Sequence, residues 1–347
     1  MSAIAITGAT GMLGTHFLWQ ALNVYENVVA LYRSEEKRKY VRTIFAQYDA
    51  ATAQSTYDRI TWRKVDLLNP LELEAALDGI DTVFHLAATV RFDGKNPNQL
   101  VNENSGMAAT LVDACLHLGI PKLVHLSSVA ALGRKEDKTS NAGIDEYTHW
   151  ENSKLNSTYA ISKYRAEMEA WRGMVEGLSV LVINPPIILA PGFWNQSSGV
   201  LLPSVARGLP FYTKGENGFV DVRDLARITL KLVQTNHWNE RYIVSGVHAS
   251  YQDVFNHFAE ALGVRKPYIH LTPFWGSVVW RLEWLRSRLF GSNPLITKET
   301  HQSSQHKYRY LSDKVIKTAD VSFTPLEETA SWMADWYKNM VMNTPLK

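Results

Sequence analysis

Eight residues near the start of the chain constrain its fold more than any other stretch. Thr7-Gly8-Ala9-Thr10-Gly11-Met12-Leu13-Gly14 follows the apolar run Ala3–Thr7 and opens a segment, Leu13–Leu22, with helical spacing. Gly8, Gly11 and Gly14 allow a tight turn and a close approach of backbone to a pyrophosphate, and the last lets helix pack on strand. The helix N-terminus would add N–H groups and a positive dipole end. Such a turn belongs on a parallel sheet, and the chain supplies one. Val- and Ile-rich runs recur at Val28–Tyr32, Asp81–Ala87, Lys122–Ser127 and Val180–Asn184. Helical patterns separate them at Leu71–Leu77, Gly106–Leu118 and Thr158–Trp171. Continuous apolar strands are those covered on both faces by helices. The alternation predicts an α/β, doubly wound parallel sheet over residues 1–190, with segments near 219–245 returning to it. Past Pro191, where Gly, Pro, Trp and Phe become dense, a smaller mixed α/β domain is expected over 191–347.

A chain of 347 residues, 46% hydrophobic and 20% charged, can bury a core of that size. Its 36 basic and 34 acidic residues leave a formal charge of +2, which makes no case for nucleic acid or an acidic membrane surface. A single cysteine, Cys115, allows no disulfide within the chain and fits a reducing compartment. The first residues lack a basic, then apolar, leader pattern, and no apolar run reaches a membrane span. Phe274–Phe290 comes nearest, interrupted by Arg281, Glu283, Arg286 and Arg288. Its Phe274, Trp275, Trp280, Trp284 and Leu285 recur at helical spacing. We read it as a helix packed on the second domain rather than one lying on a membrane. The expectation is a cytoplasmic protein with no metal, nucleic-acid or membrane partner.

The second strand ends Leu31-Tyr32-Arg33-Ser34. Tyr32 stands where an acid would bind the ribose 2′-hydroxyl of NAD. Arg33 suits a 2′-phosphate instead, and Lys37 and Arg38 lie a turn further on. NADP(H) is therefore preferred, with NAD(H) the alternative. Tyr159 and Lys163, in Thr158-Tyr159-Ala160-Ile161-Ser162-Lys163, are spaced i and i+4 and share one helix face. A phenol titrating near ~10 is a poor acid–base group at neutral pH. A neighbouring ammonium and a positive nicotinamide favour its phenolate.

Glycine loop, Tyr159 and Lys163, in this order, resemble the extended short-chain dehydrogenase/reductases, the NAD-dependent epimerase/dehydratase family. The resemblance is specific over the first ~190 residues and looser beyond. It implies a Rossmann domain and a lysine that also holds the nicotinamide ribose. Asp66 and Leu67 match the adenine-contact position. Ala87, Ala88 and Thr89, in His85-Leu86-Ala87-Ala88-Thr89, match the segment passing under the cofactor. Counted back from Gly133, Ser128 takes the catalytic serine position, with Ser127 the fallback. Asn104 fits the family's asparagine, although Met107-Ala108 replaces the usual Gly-Thr and Asn102 is a competing register.

Asn184-Pro185 resembles dihydroflavonol reductases and 3β-hydroxysteroid dehydrogenases more than nucleotide-sugar enzymes, which carry an Arg near that strand end. Pro185, Pro186, Ile187 and Ile188 would pack near the nicotinamide. Val129 and Ala130 stand where sugar dehydratases place Asp-Glu, so dehydration is not expected. Gly218–Ala226 also matches the family, with Asp224 read as a helix cap. Arg91, Phe92, Val129, Trp194, Asn195 and Phe219 are candidates for the substrate side. The resemblance further implies a homodimer. An NADP(H)-dependent reduction of a ketone or aldehyde, or oxidation of the alcohol, leads. Alternatives are a nucleotide-sugar epimerase, and a non-catalytic NADP-sensing regulator of the kind that loses the Tyr and Lys retained here.

Overall fold

Ile4 and Ile6 face one side of a sheet and Ala5 the other, and this alternation sets up both layers of core. The computed structural model describes residues 2–90, 96–133, 143–153, 156–277, 280–281 and 304–342. The first half runs β1 (Ala3–Thr7), α1 (Met12–Ala21), β2 (Asn27–Tyr32), α2 (Glu35–Tyr48), α3 (Ala53–Asp58), β3 (Ile60–Lys64), α4 (Pro70–Leu77), β4 (Thr82–His85), α5 (Pro97–His117), β5 (Lys122–Leu126), α6 (Thr158–Val175) and β6 (Ser179–Asn184). There follow β7 (Ile187–Leu189), α7 (Leu201–Ala206), β8 (Phe211–Tyr212), β9 (Glu216–Asp221), α8 (Val222–Gln234), β10 (Glu240–Ile243), β11 (Val247–Ser250), α9 (Tyr251–Leu262), β12 (Ile269–His270), α10 (Asp313–Ala319) and α11 (Leu326–Tyr337).

Seven strands form one sheet in the order β10-β6-β5-β4-β1-β2-β3, and every neighbouring pair is parallel. The order reverses between β1 and β4, so a crevice opens there at the carboxyl ends of the strands. On one face Phe17 and Leu18 of α1 and Leu225 and Ile228 of α8 pack against Ile4, Ile6 and Val28. On the other, Leu73 of α4, Leu111 and Val112 of α5 and Ala170 of α6 cover Ala5, Val29 and Val83. The expected doubly wound α/β sheet is what forms.

A second, mixed sheet has the order β11-β9-β7, with β9 parallel to β7 and antiparallel to β11. Its core joins Leu189, Phe219, Val254, Phe258 and Met333. β9 lies in this small sheet, whereas α8 and β10 return to the large one.

Three sequence expectations need correcting. α5 begins at Pro97 rather than near Gly106, because its first turns are polar outside and carry only Leu100, Val101 and Asn104 inward. The cap of α8 is Asp221, whose side chain accepts from Arg223 N at 2.7 Å. Asp224 lies one turn in and accepts from Thr324 N at 2.6 Å. Finally, Phe274 and Trp275 are 71% and 60% exposed, so these two rings do not pack on the small domain, while Trp284 and Leu285 lie outside the described residues. Among the described residues no helix is long and apolar enough to cross a membrane.

Candidate active site

The glycine loop is built by contact with its neighbours. Gly8 has φ +68°, and a Cβ there would lie 2.7 Å from Ala87 N, in the segment leaving β4. A Cβ on Gly14 would lie 2.0 Å from Gly8 O, so the first turn of α1 presses directly on the loop. Gly11 N donates to Gly8 O at 2.9 Å and closes the turn. Gly11 is also the N-cap of α1. It has no side chain to accept the first N–H groups, and no acidic residue occupies the first turn. The helix end is therefore open to an anion, and the cradle fits a pyrophosphate. Thr10 and Leu13 are buried, Leu13 in the core, and Met12 is half-buried.

At the carboxyl end of β2, Ser34 caps α2 by accepting from Lys37 N. Arg33 and Lys37 are exposed, and among the described residues no side chain pairs with either. Arg38 is drawn inward. It lies 5.2 Å from the Tyr32 ring centre, pairs with Glu35, and keeps a buried Nε without a hydrogen-bond partner among the described residues. Asp66 follows β3 and accepts from Leu68 N at 3.1 Å, while Leu67 is half-buried against the second core layer.

The reacting groups meet where β5 ends over α6. Ser157 caps α6 by accepting from Ala160 N at 3.1 Å, which starts the helix one turn before its polar stripe. Tyr159 and Lys163 follow on one face. The Tyr159 hydroxyl hydrogen-bonds Ser128, whose Oγ also accepts from Ala130 N at 3.1 Å. Ser127 turns the other way and donates to Glu167 at 2.5 Å. Burial pushes the Tyr159 phenol above its ordinary range, and the bond to Ser128 offsets part of that. Lys163 is buried and donates to Leu126 O at 2.9 Å. Burial pushes its ammonium down to about 8, while the Glu167 charge pulls it back up.

Asn104 acts as a brace. Its Oδ1 accepts from Thr89 N at 2.8 Å, and its Nδ2 donates to Thr89 O and to Ser162 Oγ, each at 3.0 Å. Ser162 Oγ in turn donates to Tyr159 O at 2.8 Å. Both amide hydrogens are spent on protein, so Asn104 fixes α5 and the Thr89 loop to α6 rather than facing a reactant. Beneath the loop, Thr7 Oγ1 lies 2.8 Å from His85 Nδ1 and accepts from Ala87 N at 3.2 Å. Ala88 continues that segment. Burial pushes His85 down to about 3 and His125 well below its usual range, so both are neutral at pH 7.

Pro185 and Pro186 are buried, and Pro185 O accepts from Val129 N at 3.0 Å, tying the turn after β6 to Ser128. Ile187 and Ile188 are half-buried and pack on different cores. Val129 clusters with Leu132, Ile243 and Tyr310. Trp194 packs edge-on against Tyr337 at 5.2 Å, and Asn195 is exposed. Phe219 is 1% exposed and belongs to the small-domain core. Arg91 and Phe92 lie outside the described residues. Glu167 was not singled out from the sequence. The available signal was a carboxylate on the buried stripe Ala160, Lys163, Ala166, Ala170, where only a paired charge is tolerated.

The chain belongs to the NAD-dependent epimerase/dehydratase family, whose model matches residues 4–245. Fold and membership together define an NAD(P)-dependent enzyme of the extended short-chain dehydrogenase/reductase type. It is similar to sterol demethylase protein B of Methylococcus capsulatus, 27% identical over 77% of either chain. It is also similar to the dihydroflavonol 4-reductase of Dianthus caryophyllus, 25% identical over 72% of this chain and 71% of that one. Gre2 of Candida albicans, solved in complex with NADPH, shares the fold at a TM-score of 0.76 and 18% identity, covering 98% of this chain and 100% of that one.

Proposed function

We propose that this chain is an NADP(H)-dependent oxidoreductase that reduces a ketone or aldehyde, or oxidises the alcohol, through Ser128, Tyr159 and Lys163. One observation carries this reading: the Tyr159 hydroxyl is bonded to Ser128 at the carboxyl end of β5, one helical turn from a buried Lys163. The glycine cradle supports a dinucleotide beside it. Bound there, the nicotinamide supplies or takes up a hydride. In reduction Tyr159 gives its hydroxyl proton to the carbonyl oxygen, and in oxidation it takes that proton back. Ser128 Oγ, steadied by Ala130 N, shares the same oxygen and fixes the carbon above it. The Lys163 ammonium stabilises the phenolate and would hold the ribose hydroxyls of a bound cofactor. Residues 1–190, with the return near 219–245, serve the cofactor, and 191–347 mainly the substrate.

Preference for the 2′-phosphate rests on Tyr32 in place of an acid and on the exposed Arg33 and Lys37 beside it, neither paired among the described residues. Val129 and Ala130, the two residues after Ser128, carry no acid or base, which speaks against elimination of water. The Dianthus protein is named for a carbonyl reduction and the Methylococcus protein for sterol chemistry. Both names favour a bulky, fairly apolar carbonyl substrate. The test is a panel of apolar ketones and aldehydes with NADPH, followed by its absorbance, with Tyr159→Phe as control. Cofactor consumption that the substitution abolishes is expected. Isomerisation of a sugar nucleotide without net cofactor change would replace this function with epimerisation.

A further inference from the structure

Proton transfer at Tyr159 depends on where Ser128 points and on whether Lys163 is charged, and one side chain bears on both. Glu167 lies one helical turn beyond Lys163 on α6 and is 2% exposed. Its Oε2 accepts from Ser127 Oγ at 2.5 Å and from Asn184 Nδ2 at 2.8 Å. Its Oε1 accepts from Trp171 Nε1 at 3.1 Å and from Arg241 of β10 at 2.7 Å. The Asn184 amide also donates to Ser128 O at 3.0 Å, while its Oδ1 is buried with no partner among the described residues. Its orientation therefore comes from those two N–H bonds. Ser128 is gripped twice from one helix, at its hydroxyl by Tyr159 and at its carbonyl by Asn184 on Glu167.

A buried carboxylate is an expensive way to fill space. Ala160, Ala166 and Ala170 fill the same stripe without charge. We propose that Glu167 is a positioning residue for the reaction: through Asn184 it fixes Ser128 against Tyr159, and its charge keeps Lys163 protonated. This rests on the roles given above to Tyr159 and Lys163. The other titratable groups facing Lys163 are Tyr159 on α6, His85 on β4 and His125 on β5, and both histidines are held neutral by burial. The remaining charge among the described residues is Arg241, which pairs with Glu167 Oε1 at 2.7 Å and so offsets its charge.

Opposite substitutions therefore move Lys163 in opposite directions. In the cofactor-free protein, a lysine side-chain NMR resonance that disappears in Lys163→Arg should titrate near 8. Glu167→Gln should lower that midpoint by about one pH unit, and Arg241→Gln should raise it. With NADPH and a carbonyl substrate, Glu167→Gln should cut kcat roughly ten- to hundredfold with little change in KM. Its alkaline limb should follow the titration. An unmoved midpoint, or shifts of the same sign in both variants, would overturn the proposal. If Glu167→Gln does not fold, Arg241→Gln decides alone, and no upward shift would overturn it. The titration needs no turnover. Opposite shifts in a protein that reduces no carbonyl would support the Glu167 arrangement and reject the reductase reading.

Discussion

Burial alone makes Tyr159 a weaker acid than a free phenol, so its chemistry depends on its neighbours. Tyr159→Phe keeps the ring and loses the proton. Carbonyl reduction should fall by about 10²–10⁴-fold while NADPH affinity, by Trp fluorescence titration, stays within about threefold. Lys163 is charged below about 8 and neutral above it. kcat/KM for reduction should therefore hold at neutral pH and fall as pH rises through about 8; a flat profile to pH 10 would contradict the assigned role. Arg33→Ala should weaken NADPH by about tenfold or more and leave NADH unchanged, as calorimetry can measure. Tyr159, Lys163 and the three glycines were legible because each carries its chemistry in a fixed spacing. The choice between Ser127 and Ser128 was not, since both hydroxyls meet α6 and only the fold shows that Ser128 meets Tyr159 while Ser127 meets Glu167. Glu167 was hidden for a related reason. Its partners Ser127, Asn184 and Arg241 come from three different strand ends.

At the level of elements, strands read well, and α1, α4 and α6 start within one residue of the expectation, whereas α5 does not. β1 matches the expected run residue for residue, because a doubly covered strand is apolar throughout. α5 has a polar outer face over its first three turns, which conceals the period. The contact between α1 and the glycine loop is the tightest joint in the site. Gly14→Ala must push Gly8 O away, an overpacking that costs about 1–3 kcal/mol. Both a lower melting temperature and weaker NADPH binding should result. A variant that melts lower but binds NADPH normally would show that the loop is not the phosphate cradle.

Across the whole molecule, α11 brings the end of the described chain back onto the cofactor domain. The Trp336 ring lies 5.0 Å from Tyr48 on α2 and 5.7 Å from His16 on α1. His16 Nε2 lies 3.0 Å from Pro191 O, and the Tyr40 hydroxyl donates to Gly192 O at 2.5 Å. The loop after β7 is thus held by the same joint. Trp336→Ala should cost about 3–5 kcal/mol by denaturant unfolding. The buried histidines set the acid limit. His16 is pushed down to about 4 and His85 to about 3, so at acid pH the unfolded chain binds protons that the fold does not. Their contribution is complete above the ordinary value of 6.5 and is lost as pH falls toward 4 and then 3. Melting temperature should decline over that window. The most direct test of the central claim is a single-turnover reaction with NADPH deuterated at its transferable position and an apolar ketone. One deuterium on the new carbinol carbon per NADP⁺ formed, absent with Tyr159→Phe, is the predicted result. A product without label, or one formed with no net cofactor oxidation, would contradict it.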